Sequence, residues 1–204
     1  MFLNRLAAPF RIETLVYQFM GPPDHQWSDD SPEFSLIPAC SLSVRRLFHD
    51  DATRSRKFLQ FLHSGCFGYF LERDGQWITY GWSTQPESMR PPHLPPWVAD
   101  LEAYWIFYCH TRDEFRCQGH YKRLLARLAA GAYERTANPL VLCDALPDNL
   151  ASRRAVLHAG FAPKGILTTY RPLRGLIVGG RWRRDEAHAP QIERKSGQTS
   201  ERPA

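Results

Sequence analysis

This sequence has no Cys-x-x-Cys pair, although it carries five cysteines: Cys40, Cys66, Cys109, Cys117 and Cys143. An odd count without framework spacing excludes the small disulfide-stapled class and implies free thiols in a reducing compartment. No apolar run approaches the roughly 20 residues that a membrane-spanning helix needs. The N-terminal stretch is apolar in part, but Arg5, Pro9 and Arg11 interrupt it, so it forms no clean signal core. There is no internal repeat and no composition shift that would mark a second folded domain. A soluble, cytoplasmic protein with no membrane partner is the expectation.

A strong excess of one charge is also missing. The formal net charge is +5, and residues 181–204 contribute to it with six Lys/Arg against four Asp/Glu. The balance left on the body suits a polyanionic cofactor but gives no footprint for nucleic acid. Aromatic residues, in contrast, make up 13% of the 204-residue chain, enough to fill the core of one compact domain. That domain is expected over residues 1–183. Residues 184–204 are polar and without period, and are expected to form a disordered tail.

Periodicity places the elements. Residues 10–20 read as a strand, and residues 24–35 as a polar loop. Residues 42–48 suit a short helix. Asp50 or Asp51 caps a helix over 52–63, which Gly65 ends. Residues 66–71 and 76–82 form a hairpin across Asp74-Gly75, a pair that accepts the positive φ angles of a tight turn. The next segment, 83–97, holds five prolines, which exclude helix and central strand. It reads either as a connecting loop or as the wall of a pocket, with Trp82, His93 and Trp97 supplying the surface.

The rest of the chain is organised around residues 102–161. A largely apolar strand over 101–111 precedes the turn Arg116-Cys117-Gln118-Gly119-His120-Tyr121. A helix over 119–133 follows, with Leu125, Leu128, Ala129, Ala132 and Tyr133 on one face. A short strand at 139–143, a helix capped by Asp148 or Asn149 and ended by Gly160, and strands over 161–170 and 175–182 complete the pattern. A strand that turns through glycine into a helix is an anion site. The first N–H groups of the helix have no internal acceptor, its dipole adds positive charge, and Gly119 leaves the backbone approachable.

These residues resemble the GNAT superfamily of acyl-CoA-dependent N-acyltransferases. The family's Arg/Gln-x-x-Gly-x-Gly/Ala signature is matched by Arg116 to Tyr121, with Tyr121 in place of the usual small residue. A second signature is matched by Asn149, Ser152, Gly160 and Phe161. The clear resemblance covers about residues 100–165. It implies an α/β (mixed α+β) fold with a central sheet splayed between strands 101–111 and 139–143 and flanked by helices. Acetyl-CoA is the implied co-substrate. Backbone groups near Cys109 and Thr111 would meet pantetheine and thioester. The turn Arg116, Cys117, Gln118, Gly119, His120, Tyr121 and Lys122 would hold the pyrophosphate. Asn149 would bond the pantetheine arm, with Ser152 one turn further on. Many relatives protonate the leaving thiolate with a tyrosine seven residues after the asparagine; here that position is Val156.

Three residues are candidates for the base that neutralises the acceptor amine. Asp144 ends the strand before Asn149, where some relatives carry a glutamate. His110 lies near the reacting end of the first strand and has a suitable ordinary pKa. Glu102 is eight residues from His110, too far to share one reacting atom. Cys109, His110, Cys117 and His120 match no compact zinc spacing, so no metal is expected. The reading is direct transfer of an acyl group, by default acetyl, to a primary amine of a small molecule such as an amino sugar. A protein N-terminus or lysine is the alternative acceptor. A CoA-binding protein with reduced catalysis is the alternative function, and a homodimer stays open.

Overall fold

The computed structural model describes residues 11–21, 33–170 and 179–184. The expected tail beyond Arg184, most of the loop over 24–35 and residues 175–178 of the expected last strand lie outside the described residues.

The described elements, in chain order, are β1 (Arg11–Phe19), β2 (Ser35–Pro38), α1 (Ser41–Leu47) and α2 (Ala52–His63). Next come β3 (Phe67–Arg73), β4 (Gln76–Thr84), β5 (Ala103–Thr111) and α3 (His120–Tyr133). The last four are β6 (Leu140–Ala145), α4 (Leu150–His158), β7 (Phe161–Tyr170) and β8 (Gly179–Arg184). Local chemistry accounts for most of the boundaries. The Asp51 carboxylate accepts the Arg54 N–H at 2.8 Å and caps α2. Asp74 (φ 52°) and Gly75 (φ 74°) turn β3 into β4, as the Asp-Gly pair requires. Asn149 caps α4 by accepting the Ser152 N–H at 3.1 Å. β4 runs on through Ser83 and Thr84, and the rest of the proline-rich segment holds only turns and the start of a short 3₁₀ stretch over Pro96–Asp100.

Two differences from expectation concern strands. β2, with only four residues, starts at the end of the expected loop and continues where no element is expected; its pairing with β3 defines it more than its own pattern does. β6 runs on to Ala145 because β1 continues to pair with it there.

The strands form one mixed sheet in the order β2-β3-β4-β5-β6-β1-β7-β8. β5 and β6 are parallel, joined through α3, and the other described pairs are antiparallel. Apolar side chains cover both faces. On one face α3 and α4 bury Leu124, Leu125, Leu128, Val156 and Phe161 against Tyr69, Tyr104 and Ile106. On the other, α1, α2 and the proline-rich segment bury Phe48, Phe58, Trp82, Leu94 and Trp105. Glu102, exposed, precedes β5.

Candidate active site

The site begins where the sheet opens. β5 pairs with β6 from Ala103 opposite Leu140 to Ile106 opposite Cys143, and no pairing follows. Beyond Ile106, β5 stays with β4 while β6 stays with β1. A bulge marks the divergence. Tyr108 takes φ 51°, and the β4 register shifts between Tyr80 and Trp82. Gly81 faces this bulge, and a Cβ there would sit 2.7 Å from Cys109 Sγ. A larger residue there would press on Cys109 and on Leu124 and Leu128 of α3.

After the bulge, Arg112 N bonds Ile78 O, and the His110 carbonyl accepts the Thr79 hydroxyl at 2.9 Å. Antiparallel alternation turns the backbone groups of Cys109 and Thr111 to the opposite edge, which β6 no longer covers. Thr111 O accepts a 3.4 Å bond from Arg116 Nε there. The opening is a cleft of about 440 Å³. Its walls include Ile106, Phe107 and Cys109 on β5, Cys143 and Asp144 on β6, and Tyr121 on α3. Asn149, Ser152 and His93 also line it.

Past the free edge, the chain enters α3 through a turn. Cys117 (φ 62°) and Gly119 (φ 81°) both take the left-handed conformation. No side chain caps the helix at Gly119, and the first backbone bond runs from Arg123 N to Gly119 O. The N–H groups of His120 and Tyr121 thus have no acceptor within the helix, and the dipole makes them positive. A Cβ at Gly119 would meet nothing within 4 Å, so the space over the turn is open. The residues therefore fit a phosphate-bearing ligand at the helix start and an extended arm along the β5 edge.

The expected turn residues differ in where their side chains go. Arg116 bonds Asp113 at 2.7 Å, and Gln118 reaches Glu114 O at 3.1 Å, so both brace the turn. Cys117 is exposed. His120 is buried against Phe34, ring centres 4.6 Å apart, with Nδ1 unpartnered among the described residues. Lys122 lies in the first turn of α3. Tyr121 and Ser152 meet across the cleft at 3.5 Å between their oxygens.

Burial sets the ionisation of the cleft. It pushes the Cys109 thiol up to about 12, and raises Cys143 and the Tyr121 phenol well above their ordinary values. All three stay protonated at neutral pH, which leaves no thiolate nucleophile at the β5–β6 opening.

Asp144 behaves in the opposite way. Burial alone would raise its pKa, but the neighbouring His93 charge and hydrogen bond and the Trp105 N–H outweigh that and hold it low. The nearby Thr14 hydroxyl adds to this field, though it makes no geometric hydrogen bond. One carboxylate oxygen, Oδ1, accepts both Trp105 Nε1 at 2.8 Å and His93 Nε2 at 3.0 Å. An ionised carboxylate stabilised this way is a weak proton acceptor, so Asp144 suits the task of orienting a partner better than that of a base.

His110 lies elsewhere. Its ring packs beside Trp77 and Tyr80, 5.8 and 5.7 Å between centres, and it is not among the residues lining the cleft. Its pKa is lowered by burial and by Arg116 and Arg54. Of the three expected wall residues, only His93 lines the cleft. Trp82 is fully buried in the core beneath α2, and Trp97 donates its indole N–H to Gly180 O at 2.8 Å. The His93–Asp144 pairing spans 51 positions and joins a proline-rich loop to a strand, so no local pattern announces it. A slightly larger recess, about 490 Å³, lies at the start of α2 between Asp51, Arg54, Trp77 and Arg112. Arg54 and Asp51 pair with each other there at 3.1 Å.

No family profile matches the sequence. No curated protein sequence matches it either. Solved structures do match. A GCN5-related N-acetyltransferase-like protein from Streptococcus suis 89/1591 superposes with TM-score 0.57 and 15% identity, covering 83% of this chain and 65% of that one. A GCN5-related N-acetyltransferase from Kribbella flavida gives 0.52 and 12%, covering 86% and 65%.

The chain has the GNAT fold.

A functionally unknown conserved protein from Staphylococcus epidermidis ATCC 12228 shares the fold at TM-score 0.52 and 9% identity, covering 81% of this chain and 64% of that one. The chain spans a little under two thirds of the length of these three structures. At such identities the likeness concerns the GNAT fold alone. Among the described residues no helix is long and apolar enough to cross a membrane.

Proposed function

We propose that this chain is an acyl-CoA-dependent N-acyltransferase, with acetyl-CoA as the default donor and a primary amine as acceptor. The observation that carries the reading is the uncovered edge of β5 after Ile106, leading directly to the uncapped start of α3 at Gly119. An edge with free N–H and C=O groups suits the amides of pantetheine. The helix start suits its pyrophosphate. Asn149 and Ser152 border the same cleft and are assigned to the pantetheine arm.

Transfer is direct. The amine nitrogen attacks the thioester carbon, an N–H donor of the open edge steadies the oxyanion, and the C–S bond breaks to release the CoA thiolate. The protonated state of Cys109 and Cys143 supports this over an acyl-cysteine intermediate. Val156, buried where a tyrosine acid is usual, supplies no proton. The thiolate therefore leaves as the anion and takes its proton from solvent. The cleft's modest volume favours a small amine such as an amino sugar over a protein lysine or N-terminus. A CoA-release assay with acetyl-CoA and a panel of amino sugars, polyamines and peptides tests this. Amine-dependent release is expected; CoA binding without release on any amine would leave a CoA-binding protein instead.

A further inference from the structure

We infer that His93 is the general base of the acyl transfer and that Asp144 is its positioning residue. This rests on the transferase reading and names the group that reading lacks. Three observations converge. First, His93 lines the cleft opposite the open β5 edge, with its side chain 35% exposed, while the Asp144 side chain is 8% exposed. Second, Nε2 is committed to Asp144 at 3.0 Å, and Asp144 is itself fixed by the buried Trp105 indole at 2.8 Å. A neutral His93 therefore carries its proton on Nε2 and presents Nδ1 as a lone pair. Nδ1 has no hydrogen-bond partner among the described residues.

Third, the loop that carries His93 is anchored on both sides. Thr84 Oγ1 donates to Met89 O at 2.9 Å, Arg90 bonds Leu94 O, and Leu94 N bonds Pro91 O. Leu94 is fully buried and Trp97 is tied to Gly180 O, so the ring is held to the cleft from both ends of the segment. The prolines that exclude regular structure here make the loop stiff enough to hold a catalytic group.

The step balances without another reactant. The amine forms its bond to the thioester carbon, the nitrogen's excess proton passes to His93 Nδ1, and the C–S electron pair leaves with sulfur. The imidazolium is steadied by Asp144 and returns its proton to solvent. The titratable groups sharing the cleft with His93 are Asp144 and Cys143 on β6, Tyr108 and Cys109 on β5, and Tyr121 on α3. Burial holds Cys109, Cys143 and Tyr121 protonated, and Asp144 stays ionised. None of these four changes charge near neutrality.

The experiment uses the full chain with acetyl-CoA and the best amine of the panel. His93→Gln is expected to lower kcat by about a hundredfold or more while leaving CoA-dependent thermal stabilisation intact. Added imidazole should restore part of the rate of His93→Ala. Asp144→Asn should lower kcat without abolishing it. In the unliganded protein, ¹⁵N spectra should show the Nε2–H tautomer of neutral His93, and lose that preference in Asp144→Asn. An unchanged rate in His93→Gln, or an Nδ1–H tautomer, overturns the assignment and leaves the transferase reading standing. A parent chain that binds CoA but turns over no amine overturns both.

Discussion

Gly119 offers the sharpest test of the proposed phosphate site. Its φ is 81°, and a Cβ built on it meets nothing within 4 Å. Gly119→Leu therefore causes no clash in the unliganded protein and costs only backbone strain, about 1–2 kcal/mol for an L residue in the left-handed region. For a domain of this size that lowers Tm by about 2–8 °C. Gly65 is a matched control, with φ 79° and equally open surroundings, but it follows α2 and leads into the start of β3. Gly65→Leu should lose the same few degrees.

The two variants should part when CoA is added. A ligand at a hundred times its Kd stabilises the folded state by about 2.7 kcal/mol. Gly65→Leu should keep that gain, whereas Gly119→Leu should show none, because the leucine fills the space over the helix start. Thermal unfolding with and without CoA reads both numbers. Equal CoA gains in the two variants would refute the phosphate assignment, even if both lose stability as expected.

Two further outcomes concern the fold. Buried Cys109 and Tyr80 are both pushed up to about 12 by burial, from ordinary values of 9.0 and 10.0. They ionise first in the unfolded chain, so their contribution is fully present below about pH 9 and is lost as pH rises toward 12. Urea midpoints should hold steady up to pH 9 and then fall; a midpoint that rises above pH 9 would contradict this. Gly165→Ala should be far more damaging than either leucine variant. Its φ is 131°, and a Cβ there would lie 2.1 Å from Arg183 O, inside the β7–β8 pairing. Amide exchange across β8 should accelerate in that variant, and unchanged protection would show that the strand adjusts.

Much of this protein is local and therefore readable from its sequence. Asp51 caps α2 and Asn149 caps α4 through bonds three residues long. Asp74-Gly75 makes a hairpin with the φ angles of its own two residues. The turn from Arg116 to Gly119 and the apolar face of α3 also depend on neighbours in sequence. Together these elements pointed to the proposed anion site, and the family resemblance to the mixed sheet. β2 escaped because a four-residue strand carries too little pattern, and only β3 defines it.

The chemistry of the cleft was decided at longer range. Asp144 stands out in sequence as a carboxylate at a strand end, which makes it look like a base. The fold gives it a Trp105 donor 39 residues away and a His93 donor 51 residues away, and these hold it ionised. His110 looks equally apt, yet it packs beside Trp77 and Tyr80 outside the cleft. The sequence by itself determined the helices, the hairpin and the glycine turn, because each is set by contacts within a few residues. Only the tertiary structure decided which histidine meets the carboxylate, because burial and hydrogen-bond partners come from segments the chain brings together on folding.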